Sequence, residues 1–282
     1  MTIAITPAEV TVSPRDLRFD VADAARGHWL GGDRVGTAVF NALSLTFPDG
    51  ERLFMDAVRN YRSQVSGKLL DDVRGFIAQE AIHSREHLAM NQLIDRDRYP
   101  VVEIEDMVRK RTAFARSRGP MVMLVSTICL EHFTAMMADL LMDHDDLLKG
   151  ASPDIERLWR WHAMEETEHK AVAFDVFMVA TRDWSALRRY LRRVIGMVLI
   201  TMLFTRNITG FATRLLESDG YSPTAARRAV RRYLWGEPGL FRRAWKGYLA
   251  WYRPGFHPWD HDNRADLANW QAEFAGAEAT VA

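Results

Sequence analysis

Two Glu-x-x-His motifs, Glu80-Ala81-Ile82-His83 and Glu166-Thr167-Glu168-His169, do most to restrict what this 282-residue chain can fold into. Residues three apart share a helix face, so each motif aims a carboxylate and an imidazole the same way. A single motif says little: with 15 Glu and 9 His in the chain, chance supplies roughly half an instance. Placement says more. Glu51 and Glu80 are equidistant from the neighbourhood of Ser66-Gly67, and Glu131 and Glu166 are equidistant from that of Lys149-Gly150. In an antiparallel helical hairpin, equidistant residues lie at one height. The spacing therefore predicts two hairpins, each levelling a lone glutamate with a Glu-x-x-His.

The apolar periodicity supports such hairpins. Residues 1–45 read as an arm with one short helix around Arg34–Leu45, and Phe47-Pro48-Asp49-Gly50 as a turn. Glu51 then opens a first helix, which Ser66-Gly67 ends. A second runs from about Lys68 to Ile94, and Arg96–Gly119 is a crossover with a moderately helical middle. A third, strongly apolar, spans about Met121–Leu148. Ser152 and Pro153 fit the cap and first turn of a fourth, which continues to about Thr181. Further helices are expected over about 185–216, 225–235 and 239–251, followed by an acidic tail. No stretch alternates with period two for long enough to demand a sheet. The expected organisation is an arm (1–45), a four-helix bundle (46–182) and a helical extension (183–282) packed on it.

One Glu from each of two helices and one Glu-x-x-His from each of the other two is the ligand set of di-iron and di-manganese carboxylate bundles. The spacing thus predicts an all-α, ferritin-like four-helix bundle with a crossover segment, holding two metal ions. Glu51, Glu80 and His83 would serve one ion and Glu131, Glu166 and His169 the other, with one or two glutamates bridging and the four carboxylates as the catalytic groups. Glu131 follows the apolar run MVMLVSTICL, where an unpaired carboxylate is costly unless something binds it. Glu165 is an alternative to Glu166, and His87, His132 and His162 are alternative ligands or hydrogen-bond partners of ligands. His28, His144, His257 and His261 lack partner spacing and are expected at the surface. The lone Cys129 is expected to be a buried, unreactive thiol.

Four segments resemble the predicted metal-dependent hydrolase family: Phe47-Pro48-Asp49-Gly50-Glu51, Gln79-Glu80-Ala81-Ile82-His83-Ser84 with His87 and Asn91, Glu131-His132-Phe133-Thr134, and Trp161 to Lys170. The resemblance covers about residues 15 to 255 and implies metal-dependent chemistry, with hydrolysis in the family's name.

Carboxylates and imidazoles without thiolate favour iron, with manganese or zinc as alternatives. Two such ions can activate O₂ or lower the pKa of a bridging water. The bundle geometry favours O₂-dependent oxidation of a hydrophobic molecule by analogy, with electrons from an external reductase. Two-metal hydrolysis of an ester or amide is the alternative, and non-catalytic metal binding a third. No nucleophile elbow, nucleotide loop or iron–sulfur cysteine set is present.

The formal net charge of zero conceals an asymmetry. Residues 182–259 carry 15 Lys/Arg against 4 acids, whereas residues 1–181 carry 21 against 28. Within the basic third, Val194–Phe204 is apolar for eleven residues, short of the roughly 20 that span a bilayer. It packs on the bundle, lies on a membrane surface or, as the least favoured alternative, spans the membrane; the surface position implies a lipid or other hydrophobic substrate. No nucleic-acid motif accompanies the basic residues. The start MTIAITPAEVTVSPRD has no secretory pattern, so a cytoplasmic location is expected, with peripheral contact at the inner membrane face.

Overall fold

Helix punctuation in the sequence shapes the computed structural model, which describes residues 6–21 and 26–278, with side chains to 275. Residues 1–5, 22–25 and 279–282 of the expected arm and tail lie outside it. The protein is all-α, and no strand occurs among the described residues. The helices are α1 (Arg34–Ser44), α2 (Phe47–Arg59), α3 (Gly67–Asn91), α4 (Val101–Ser117), α5 (Pro120–Asp143) and α6 (Pro153–His169). They continue as α7 (Val172–Ala180), α8 (Ala186–Ser218), α9 (Pro223–Trp235), α10 (Leu240–Arg243), α11 (Trp245–Ala250) and α12 (Arg264–Glu278).

Four of these helices start with proline in the first turn: α2, α5, α6 and α9. There the missing N–H costs nothing and the fixed φ already suits a helix. Ser152 and Ser222 add side-chain caps to Ile155 N and Ala225 N. The same rule corrects one expectation: Phe47-Pro48-Asp49-Gly50 is the first turn of α2. Glu51 therefore stands in the second turn of its helix, with the flanking backbone already ordered.

The bundle consists of α2 paired with α3 and α5 paired with α6, α2 packing across on α5 and α3 on α6 and α7. The crossover expected at Arg96–Gly119 is a full helix, α4, lying against α2 and α5. Leu53, Phe54, Ala57 and Val58 of α2 meet Val73 and Phe76 of α3 and Leu124 and Ile128 of α5 in one core cluster. Each large side chain buried in this way contributes about 1.5–3 kcal/mol. Cys129 lies in the same cluster as a buried free thiol.

The fourth helix does not run unbroken to Thr181. It stops at His169 and resumes at Val172. Lys170 at the break sends its ammonium to His261 O (2.8 Å) and Asn263 Oδ1 (2.7 Å) and over the Trp259 ring. The residues after Phe256 are likewise structured: Leu267, Trp270 and Phe274 of α12 are buried and α12 packs on α6. The aromatic helix expected over 239–251 is two short ones, α10 and α11.

The arm is pressed onto the bundle. A Cβ at Gly75 would stand 2.2 Å from Val12 O, so only glycine lets the arm cross α3 this closely. That crossing sets Arg15 over α6.

Candidate metal centre

The four bundle helices bring all six expected ligands to one point. Glu51 comes from α2, Glu80 and His83 from α3, Glu131 from α5, Glu166 and His169 from α6, and each is at most 4% exposed. His169 Nε2 lies 3.5 Å from Glu80 Oε1, from Glu131 Oε2 and from Glu166 Oε2. His83 Nδ1 lies 3.6 Å from Glu166 Oε1 and 4.0 Å from Glu80 Oε2.

Three sets of side chains offer ligand atoms within 4.8 Å of one another: Glu80, Glu131 and His169; Glu80, His83 and Glu166; and Glu51, His83 and His162. Glu80 thus belongs to two sets, and Glu166 faces both His83 and His169. Of the glutamates expected to be shared between the Glu51/Glu80/His83 and Glu131/Glu166/His169 sets, Glu80 and Glu166 are those with partners at both ends. Glu80 and Glu166 stand between the two ends of the site, because α3 and α6 face each other across its middle.

Fourteen buried side-chain nitrogen or oxygen atoms among the described residues lack a hydrogen-bond partner, and eight of them belong to these six residues. They are Glu51 Oε1, both oxygens of Glu80 and of Glu131, Glu166 Oε2, His83 Nδ1 and His169 Nε2. A buried polar atom left unpaired costs about 1–3 kcal/mol, and more when charged. Eight converging on one point make a cage that a cation satisfies. The donor set fits the carboxylate–imidazole chemistry of iron, manganese or zinc.

The electrostatics agree. Burial, reinforced by repulsion from neighbouring carboxylates, raises Glu80 and Glu131 well above the ordinary carboxylate range. Burial also raises Glu51, against the hydroxyl that Ser84 donates to its Oε2 at 2.7 Å. Glu166 is the exception: burial pushes it up, but His169 and His162 overcome this and hold it well below that range. Burial, then repulsion from His162, drives His83 down, which favours a neutral, ligating imidazole.

Outer hydrogen bonds fix which ring nitrogen faces the cage. Gln79 donates Nε2–H to Glu168 Oε2 (2.7 Å), so its Oε1 accepts from His169 Nδ1–H (2.9 Å), leaving the Nε2 lone pair inward. His83 Nε2 meets Glu165 Oε2 at 3.0 Å, and a cation on Nδ1 requires the shared proton on Nε2. Arg15 ties these outer carboxylates together, donating to Glu165 Oε1 (3.1 Å) and Glu168 Oε1 (2.7 Å). Gln271 of α12 donates to Glu168 as well. Burial and repulsion from Glu168 still raise Glu165 to about 8 against the pull of Arg15.

A longer relay orients His162. Asn91 Nδ2 donates to Ser44 O (3.0 Å), so the Ser44 hydroxyl donates to Asn91 Oδ1 (2.7 Å) and accepts from His87 Nδ1–H (2.9 Å). His87 Nε2 then accepts from His162 Nδ1–H at 2.6 Å. The other nitrogen, His162 Nε2, faces Glu166 Oε1 (2.9 Å) and Glu51 Oε1 (3.8 Å). His162 groups with Glu51 and His83 and is a further candidate ligand there, while His87 and Glu165 orient their neighbours.

His132 belongs to neither class. One residue beyond Glu131 it points about 100° away around α5, donates to Gly247 O (3.0 Å) and lies against Trp251; burial lowers it to about 4. His257, expected at the surface, is buried and bonds Asp175 Oδ1 at 3.0 Å. His28 and His261 are partly exposed and pair with Asp219 and Asp139. Arg15, Ser44, Gln79 and Glu168 escape reasoning based on ligand spacing. Gln79 and Asn91 lie within the family-like segments, whereas nothing in the irregular arm marks Arg15.

A model of the predicted metal-dependent hydrolase family matches residues 13–262. The chain belongs to that family. Compared with curated proteins and with solved structures, it has no match. The matched segment runs from the arm that carries Arg15 through every residue of the cage, and its description names hydrolysis, the reaction that bundle analogy ranks second.

Proposed function

We propose that this family member is a two-metal hydrolase acting on an ester or amide within an apolar molecule. The carrying observation is the set of eight orphaned ligand atoms around one buried point. Bound there, two ions would supply a water of lowered pKa and polarise a carbonyl. Glu80 and Glu166 are placed to be shared, His169 and Glu131 to hold one ion, and His83 and His162 the other. Glu51 Oε1 faces the His162 end with its partner oxygen tied to Ser84, a position suited to taking a proton from water.

The substrate class follows from the way in. A cavity of about 30 Å³ adjoins Glu166 and His162, and its remaining wall includes Phe40, Leu43, Phe47, Met137, Leu141, Trp159 and Leu240. That volume admits about one or two waters, so a substrate would widen it, and the flexible Met137 is the easiest wall to move. An apolar chain fits this lining and a charged one does not.

A second reading, O₂-dependent oxidation by a di-iron centre with an external reductase, is favoured by four carboxylates arriving from four bundle helices. Elemental analysis with anaerobic assay of nitrophenyl esters of increasing acyl length separates the two. Hydrolysis without O₂, rising with chain length and abolished by chelation, supports the first. Two irons per chain, O₂ consumption and no esterase or amidase activity would replace it with the second.

A further inference from the structure

Among the described residues α5 and α8 are each long and apolar enough to cross a membrane, both with mean hydropathy 1.6, but they differ in what covers them. The α5 segment is 67% buried inside the bundle, whereas the α8 segment is 17% buried. One face of α8 is firmly seated. Met197 and Ile208 are fully buried, and a Cβ at Gly196 would stand 2.5 Å from Val125 of α5. Arg193 is buried and donates to Trp251 O and Arg253 O. The opposite face exposes Leu191, Ile195, Val198, Leu199, Met202 and Leu203. These recur at helical spacing over roughly 18 Å of helix. A soluble surface seldom leaves such a stripe bare.

We propose that this face of α8 docks on an anionic lipid bilayer, lying in the interface without crossing it. Charge decides between lipid and a second copy of the chain. Arg192 stands at the start of the stripe, beside Leu191, and Arg206 follows its end, both exposed and without an ion pair among the described residues. No acid occurs from Trp184 to Leu216. Two copies pairing antiparallel about Leu199 would set Arg192 against Arg206 with no carboxylate between Trp184 and Leu216 of either helix to offset them. Anionic headgroups offset both. Trp245 and Leu249 stand exposed on α11, which is tied to α8 by a Tyr248–Thr201 hydrogen bond, and extend the apolar face with a ring suited to the headgroup level. A spanning role is opposed by the seated face, which holds α8 along the bundle. The surface is independent of the reaction at the metal centre.

The test is co-sedimentation of the full-length, metal-loaded protein with phosphatidylcholine vesicles and with vesicles containing roughly a third phosphatidylglycerol. The expected result is binding to the anionic vesicles alone, reversed by high salt. Leu199→Glu with Leu203→Glu should weaken it at least about tenfold, and Arg192→Gln with Arg206→Gln should weaken it and flatten its salt dependence. Leu199 and Leu203 are 52% and 49% exposed, so helicity and metal content of the variant should match wild type and serve as the folding control. The proposal is overturned by no binding, by binding that the leucine variant leaves unchanged, or by association released only by detergent. A dimer that the leucine variant dissolves, without vesicle binding, would give the face to a second copy.

Discussion

His169 Nδ1 lies 2.9 Å from Gln79 Oε1, and this one contact determines which nitrogen of His169 enters the cage. Gln79 can only accept there because its amide nitrogen is committed to Glu168. Gln79→Leu should therefore keep every proposed ligand yet weaken metal binding by about 10–100-fold, the usual effect of losing an orienting partner. Metal affinity measured by competition with a chelator reads this directly. Equal affinities for variant and wild type would show that packing, including the Phe76 ring 4.8 Å from His169, holds the imidazole unaided.

Glu80 is the most shared of the carboxylates, so Glu80→Ala should lower metal content to half or less of wild type. Its effect on stability should reverse with loading. In the metal-free protein Glu80 is a buried acid that no N–H or hydroxyl donor reaches, and truncating it relieves repulsion with Glu131 and Glu166. Glu80→Ala should thus raise the metal-free Tm while lowering the metal-loaded one. Melting curves with and without chelator give both signs; a variant less stable in each state would mean that Glu80 is held by packing alone.

The cage itself makes metal-free stability depend on pH. Glu51, Glu80 and Glu131 are raised in the folded protein, by burial above all, while in the unfolded chain they titrate near 4.3. The folded state then binds more protons than the unfolded state above that pH, and stability falls as pH rises. Below about pH 7 the buried His83, His87 and His132, all lowered by burial, act in the opposite sense. The fall in melting temperature of chelator-treated protein should therefore show from about pH 7 to 8, whereas loaded protein, with its carboxylates bound to cations, should not follow that slope. A metal-free Tm that rises over the same interval would contradict the buried, unpaired state of these acids.

The motif spacing made the hairpins and the convergence of the six cage side chains legible, because a helix converts sequence intervals directly into faces and heights. It implied that one or two glutamates are shared but not which. Whether Glu80 groups with His83 or with His169 depends on the packing of α3 against α6, which no interval within one helix encodes. The break after His169 was equally hidden, since Lys170-Ala171 is an ordinary helical pair and its partners His261 and Asn263 lie about ninety positions away. The turn expected at Phe47 to Gly50 was a misread proline, which starts helices as readily as it ends them.

His162 and His132 provide a paired test of whether His162 is a further ligand. His162→Ala removes an imidazole nitrogen aimed at Glu51 and Glu166 and should lower metal stoichiometry or affinity at the His83 end. His132→Phe changes a ring that bonds Gly247 O on the far side of α5 and should leave metal content unchanged even where it costs stability. Equal metal content in both variants would reduce His162 to a hydrogen-bond partner of Glu166.

Arg15 reaches in from outside the bundle to pair with Glu165, which meets His83 Nε2. A cation on His83 Nδ1 needs the proton on Nε2 and Glu165 ionised to accept it. Burial and Glu168 oppose that ionisation and raise Glu165 to about 8, with Arg15 pulling the other way. Arg15→Met removes the pull, so Glu165 should titrate higher still, and the pH at which metal binding is half complete should move upward. The variant also leaves Glu165 and Glu168 without their buried cation, a loss that costs about 3–5 kcal/mol when neither acid can protonate. Metal content measured across pH for wild type and Arg15→Met separates the two effects. An upward displacement of the midpoint assigns Arg15 to ligand orientation, whereas an unmoved midpoint in a less stable protein would leave it only a brace between the arm and α6.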